Sequence, residues 1–179
     1  MKLMSFNVRG LNAPFKRHAL CSEIKRGDPD MVCLQETHFR RLSHPLLQVP
    51  RYTTQFHATG PTKSRGVSIL LHDRMSFQLH RKLSDPKGRY LILGGRYLFV
   101  RGKIVDTVYT FASLYLPNKK QHTCLTRMLK SLDSFQQGIT IIAGDLNVPL
   151  EPYIDSSSGA SATPSIFLRQ IPYPYMNTN

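Results

Sequence analysis

Apolar residues along the chain fall into short runs, and several of these runs stop abruptly at polar side chains. Lys2 to Phe6 is a short apolar stretch closed by Asn7-Val8-Arg9-Gly10, which predicts a strand followed by a turn. Phe15, Ala19, Leu20 and Ile24 then recur near helical spacing, and Gly27-Asp28-Pro29 stops that helix. Met31 to Leu34 reads as a second buried strand, ending in Gln35-Glu36-Thr37-His38, so the chain opens as β-α-β. The middle alternates differently. Gly66 to Leu71, Phe77 to Leu83, Arg89 to Leu93, Tyr97 to Val100 and Ile104 to Leu116 are strand-like and separated by turn signals such as Asp85-Pro86-Lys87-Gly88. Such short connections favour antiparallel pairing. Cys124, Leu125, Met128, Leu129, Leu132 and Phe135 form an apolar helical stripe that Gly138 ends, and Thr140 to Ala143 returns to a strand.

That last strand runs into Gly144-Asp145-Leu146-Asn147. Residues i and i+2 of a strand point to one face, so if the backbone stays extended, Asp145 and Asn147 project together from its carboxyl end. Open α/β sheets build sites at such ends. Beyond Glu151 the character changes. Residues 156–179 hold Ser156, Ser157, Ser158, Gly159, three prolines and a single basic residue, Arg169, with no sustained period. The expectation is one domain over residues 1–152 and an irregular tail over 153–179.

Charge narrows the partners. The 24 Lys+Arg against 11 Asp+Glu leave a formal net charge of +13. The basic residues are scattered as Lys16-Arg17, Lys25-Arg26, Arg40-Arg41, Lys63, Arg65, Arg81-Lys82 and Lys119-Lys120, so no basic tail accounts for the excess. A generic solvated surface is one reading. A folded domain this basic also attracts polyanions, of which nucleic acid is the commonest. Cys21, Cys33 and Cys124 are odd in number and too far apart for a zinc motif, which fits buried thiols in a reducing compartment. The amino terminus does not read as a signal peptide and no apolar run approaches membrane-spanning length, so an intracellular, soluble protein is expected.

Four strand ends carry the candidate chemistry: Asn7, Gln35-Glu36, Tyr115 with Pro117-Asn118, and Asp145 with Asn147. Each alone is an ordinary turn residue. Together they would gather two carboxylates, several amides and a phenol among basic residues. Carboxylate and amide oxygens suit Mg²⁺, which keeps several waters and often needs only one or two protein carboxylates. The sequence has no His/Cys cluster for a soft zinc site. A metal-neutralised phosphate, a carboxylate aligning water and a phenol or amide donor would together support phosphodiester hydrolysis.

The ordered segments "SFNVRGLN", "CLQETH", "GVSILL", "LYLPN" and "IIAGDLNVPL" resemble the endonuclease/exonuclease/phosphatase superfamily. "NVRGLNAPFKRHAL" through "LQETHF" is similar to the apurinic-like endonuclease domain of non-LTR, long-interspersed-element-type retrotransposons, relatives of exonuclease III and the apurinic/apyrimidinic endonucleases. The resemblance covers residues 1 to about 152 and implies a DNase I-like, four-layer α/β sandwich of two packed mixed sheets. It implies that Glu36 is the ligand of a divalent metal, Mg²⁺ or Mn²⁺, with Asn7 beside it. Tyr115 and Asn118 would contact the phosphate, while Asp145 and Asn147 would orient the attacking water and hold the scissile phosphate. Arg9, Lys119 and Lys120 are the candidate nucleic-acid contacts; paired lysines in a loop are also commonly just solvated. The implied partner is DNA, with no membrane or lipid, for a monomer acting in the nucleus.

The family's pattern also has a later Asp/Thr-bearing segment and a Ser-Asp-His motif near its end, and this sequence has neither after Asn147. All seven histidines, including His38, precede Asn147. His38 follows the Gln-Glu-Thr motif and is read as a structural histidine rather than as a substitute. Two functions follow from different classes. One is a Mg²⁺-dependent nuclease that nicks DNA to leave a 3′ hydroxyl, with apurinic-site endonuclease or 3′-5′ exonuclease activity as its enzymatic alternatives. The other is a C-terminally truncated, inactive remnant that at most binds nucleic acid, its sheets left with open edges.

Overall fold

The computed structural model describes residues 1–39, 47–60, 65–84 and 94–147. Residues Met1–Leu146 make one contact unit, and Asn147–Asn179 a second of which only Asn147 is described. The elements of the first unit are β1 (Leu3–Asn7), α1 (Pro14–Gly27), β2 (Met31–Gln35), β3 (Thr54–Ala58), β4 (Val67–Leu71), a 3₁₀ turn (Asp73–Met75), β5 (Gln78–Ser84), β6 (Tyr97–Ile104), β7 (Thr107–Tyr115), α2 (Gln121–Asp133) and β8 (Ile139–Asp145). None of the described helices is long and apolar enough to cross a membrane.

Two four-stranded sheets result, ordered β1-β2-β4-β3 and β5-β6-β7-β8. Each contains one parallel pair joined through a helix, β1 with β2 through α1 and β7 with β8 through α2; the other pairings are antiparallel. Met31, Cys33, Val67, Ile69 and Leu71 of the first sheet and Leu98, Val100 and Phe111 of the second fill one core between the sheets. On the outer face of the first sheet, Leu20 and Ile24 of α1 pack with Val32, Leu34 and Leu70. On the outer face of the second, Phe135 beyond α2 meets Phe99, ring centroids 5.9 Å apart. The layers are therefore helix, sheet, sheet, helix, as the resemblance implied. Coverage on both faces explains the continuous apolar runs: every residue of β2 and of β4 is buried. Burial also pushes the Cys33 thiol up to about 12, so Cys33 is an inert core residue.

Several sequence-based boundaries move. α1 begins at Pro14, suited to a first helical turn, and ends where Asp28 adopts φ 42° and donates its N–H to Ile24 O at 2.8 Å. The sequence reading contains no strand at 54–58, because "TQFHA" offers only Phe56 and Ala58 as buried apolar positions; β3 is an edge strand with one face to bury. The polar stretch Arg101-Gly102-Lys103 reads as a break, yet β6 runs through it. The hairpin instead turns at Val105-Asp106, with Val105 at φ 53°, a conformation that a β-branched residue does not advertise. The strand expected at Arg89 to Leu93, the turn at Asp85 to Gly88, Arg40-Arg41, His44 and Lys63 lie outside the described residues, as does the 152/153 boundary.

Candidate active site

The two parallel pairs bring their carboxyl ends to the same place. In the first sheet Asn7 pairs with Gln35, so Glu36 follows immediately beside Asn7; in the second Tyr115 pairs with Asp145. Asn7 joins the sheets: its Nδ2 donates to Glu36 Oε1 and to Asp145 Oδ2, each at 2.8 Å. The amide is oriented from behind, since its Oδ1 accepts the backbone N–H of Arg9 at 3.3 Å. Two carboxylates from different sheets thus lie within two hydrogen-bond lengths of one another. In this arrangement Asn7 bridges the carboxylates, and its oxygen would have to leave the Arg9 N–H before it could ligate a metal.

The backbone beneath Glu36 is bent to present it. Glu36 has φ 55° and His38 φ 58°, while Gly10 N–H and Leu11 N–H donate to Glu36 O at 2.7 Å and Thr37 O at 3.0 Å. Left-handed non-glycine residues cost energy and cluster at functional sites. Burial pushes the Glu36 carboxyl up, but hydrogen bonds from Asn7 and Tyr115 and the nearby His38 outweigh it, and the net displacement is downward. Glu36 is therefore ionised at neutral pH. His38 Nε2 stands 3.4 Å from Glu36 Oε2, and the ring lies against Gly10, where an added Cβ would come within 2.8 Å of Nδ1. His38 is thus held beside the carboxylate.

Across the cleft, Tyr115 is half-buried, and its hydroxyl donates to Glu36. Burial, then the Glu36 carboxylate, push the phenol's pKa up, so the proton stays on oxygen as a donor. Asp145 is delivered by Gly144, whose φ is +151° and whose added Cβ would lie 1.9 Å from Leu114 O; no other residue fits against β7 there. Leu116 N–H to Asp145 O at 2.8 Å continues the ladder past Tyr115.

The remaining expected residues are less gathered. Asn118, Lys119 and Lys120 are exposed in the turn before α2, where Gln121 Nε2 donates to Asn118 O at 2.9 Å and Lys120 has φ 58°. Arg9 is exposed beside Asn7, and its carbonyl accepts from Lys16 Nζ at 2.8 Å. The alternation expected to put Asp145 and Asn147 on one face stops short: β8 ends at Asp145, and Asn147, outside the first unit, has φ 48°. Lys16, Arg65 and Arg96 near the site carry no sequence signal beyond their charge.

The donor set suits a hard divalent cation, with ionised carboxylate oxygens and no thiolate or histidine cluster. Among the described residues no group of three or more His, Cys, Asp or Glu is gathered to hold a metal by side chains alone. Mg²⁺ held by Glu36 would keep most of its water, in line with that ion's reluctance to dehydrate.

The model of the endonuclease/exonuclease/phosphatase family matches residues 4–162. An exodeoxyribonuclease of Bacillus subtilis (strain 168) is 27% identical over 162 residues, covering 83% of this chain and 59% of its own. The DNA repair nuclease APEX1 of Danio rerio is 30% identical over 98 residues, covering 51% of this chain and 31% of its own. The chain therefore spans less than two thirds of either relative. An AP endonuclease structure from Archaeoglobus fulgidus superposes with a TM-score of 0.63 at 21% identity, over 85% of this chain and 59% of that one, which establishes the shared fold. With the match running from β1 to beyond β8 and the same layered fold beneath it, the chain belongs to the endonuclease/exonuclease/phosphatase family.

Proposed function

We propose that this domain hydrolyses DNA phosphodiester bonds with a divalent metal, Mg²⁺ or Mn²⁺, as a retrotransposon-type endonuclease that nicks and leaves a 3′ hydroxyl. The observation that carries this reading is the Asn7 bridge, which ties Glu36 of one sheet to Asp145 of the other beside the Tyr115 hydroxyl. The metal would neutralise phosphate charge and be held by Glu36, with Asp145 adjacent. Asp145, one of whose oxygens accepts from Asn7, would accept a proton from an attacking water. Tyr115, a protonated phenol at neutral pH, can donate toward the non-bridging oxygens where charge develops. Arg9, Lys16, Lys119 and Lys120 would offer positive charge to flanking phosphates, and Asn118 and Asn147 are assigned to phosphate contact by the family resemblance.

Apurinic-site endonuclease and 3′-5′ exonuclease activity would use the same site and are the enzymatic alternatives, in keeping with relatives named as an exodeoxyribonuclease and a DNA repair nuclease. A second reading, from another class, is a domain that binds nucleic acid without cleaving it, favoured by one observation: the net charge of +13 is spread along the chain. Supercoiled-plasmid nicking with Mg²⁺, with Asp145→Ala as the contamination control, separates them. Nicking that disappears in Asp145→Ala supports the nuclease; plasmid retention without nicking supports the binding reading.

A further inference from the structure

The surroundings of Arg96 do not fit an ordinary surface arginine. Its Cζ lies 4.9 Å from the Tyr115 ring centroid, its guanidinium hydrogen-bonds the Tyr115 hydroxyl, and its backbone carbonyl accepts the Tyr115 N–H at 2.8 Å. Its Nε and Nη1 are buried without a hydrogen-bond partner. Burial, then the neighbouring Arg65, pull its pKa down. A half-buried cation beside a like charge, with two N–H groups unsatisfied, is a poor choice for stability, because unpaired buried donors carry their full desolvation cost. The Tyr115 ring face and oxygen compensate it in part. The backbone that carries it cannot relax outward. Gly95 has φ +68°, its added Cβ would lie 2.5 Å from Gly60 Cα, and its carbonyl accepts the Gly66 N–H at 3.0 Å.

We propose that Arg96 is a positioning residue for Tyr115: by occupying one lone pair of the phenol and stacking on its ring, it turns the hydroxyl hydrogen toward Glu36 and the phosphate site. A phenol oxygen has a single hydrogen, and an N–H arriving from the Arg96 side forces that hydrogen to the opposite side. There it meets the Glu36 carboxylate. The chain Arg96–Tyr115–Glu36–Asn7–Asp145 then links a buried cation to both carboxylates through contacts already described. The inference rests on the reading of Tyr115 as a phosphate contact.

Arg96→Met removes the unsatisfied N–H groups while keeping a long apolar stem. The melting temperature is expected to stay level or rise, whereas kcat for DNA cleavage falls about 10- to 100-fold with KM little changed, the scale of a small misplacement at a reacting group. Arg96→Lys, which can still donate to the phenol but cannot stack a plane on it, is expected to recover part of the loss. In a Tyr115→Phe background Arg96→Met should add nothing. An unchanged kcat, or the same loss with Phe at 115, overturns the proposal. A readout independent of cleavage separates it from the nuclease reading: the ¹³Cζ resonance of Tyr115, assigned by its disappearance in Tyr115→Phe, is expected to shift in Arg96→Met and Arg96→Lys. If wild-type protein cleaves nothing, the nuclease reading fails while this resonance still decides whether Arg96 holds the phenol; an unshifted resonance overturns it.

Discussion

At the end of the first sheet where β1 and β2 begin, Asp28 and Asp30 meet Arg74 at 2.8 and 2.6 Å. Arg51 adds a third contact to Asp28 at 3.2 Å, and the Lys2 backbone N–H donates to Asp30 at 2.6 Å. At the end where the same strands stop, Glu36 is held by an amide, a phenol and a histidine; among the described residues no lysine or arginine forms a salt bridge with it. Both ends are acidic, and both depress carboxyl pKa values, Asp28 chiefly through its hydrogen bond to Arg74 and Asp30 chiefly through the Lys2 N–H. Arginines at the first end neutralise the charge and tie β2 to the turn after β4. The amide and the phenol at the second bring no charge of their own and leave negative charge for something else to meet. Acidity alone does not mark a site; acidity held ionised without a salt-bridging arginine or lysine points to one.

The largest expected effect tests that contrast directly. Asp145→Ala and Glu36→Gln should each lower Mg²⁺-dependent nicking by about 10³-fold or more, the scale of losing a directly acting group, with only a small loss of thermal stability, that of the hydrogen bonds each carboxylate accepts. Calorimetric titration of Glu36→Gln with Mn²⁺ should show weakened binding; equal affinity in both proteins removes Glu36 from metal binding. Melting curves that fall sharply for both variants would mean that this end, too, is structural.

Next in size is the glycine that carries the second sheet into the site. Gly144→Ala must place a Cβ 1.9 Å from Leu114 O at φ +151°, so the β7–β8 ladder has to shift. A cost of about 3 kcal/mol is expected from strain plus lost pairing, read as the change in urea midpoint. A variant as stable as wild type would mean that β8 can slide, and then Asp145 should lose its Asn7 contact.

How much of this was legible in the sequence varies with the physics. β2 and β4 were readable as "MVCL" and "GVSILL" because burial on both faces leaves uninterrupted apolar runs. Asn7, Glu36, Tyr115 and Asp145 were readable because each sits where such a run stops. β3 was not, since an edge strand with one buried face needs only Phe56 and Ala58. Arg96 was invisible for a different reason: an arginine after two glycines reads as a turn, and only the second sheet's packing puts it over Tyr115. Likewise the Arg74–Asp28–Asp30 network joins residues 44 and 46 positions apart, which no local pattern reports.

Arg74→Met is expected to lower the melting temperature without changing nicking, the reverse of Asp145→Ala. Its acid dependence sharpens the comparison. Asp28 and Asp30 have depressed pKa values, so their contribution to stability is fully present above the ordinary carboxylate range and is lost as pH falls through their lower folded values. Glu36 behaves in the same direction. Wild-type stability should therefore be nearly level from about pH 7 to 5 and decline below about pH 4. In Arg74→Met the decline should be shallower, because most of the depression of Asp28 leaves with the guanidinium. Parallel melting-temperature-versus-pH curves for the two proteins would show that Arg74 is not what holds those carboxyls down.

The smallest effect belongs to the exposed lysines, and it asks whether the positive charge around the site is matched to phosphate or merely solvates the surface. Lys119 and Lys120 stand in the turn that follows Tyr115, and Lys2, exposed at the opposite end of the first sheet, serves as the control. Each phosphate contact contributes about 0.9 to the slope of log affinity against log salt on duplex DNA, whereas a lysine far from the track contributes almost nothing. Lys119→Ala should then reduce the magnitude of the slope by about one, weaken binding at low salt about tenfold or less, and do so equally for unrelated sequences, since a phosphate contact reads no bases. Lys2→Ala should leave the slope where it was. Equal slopes for both variants would mean that the net charge of +13 acts as a diffuse field, with no phosphate seated at the Tyr115 turn.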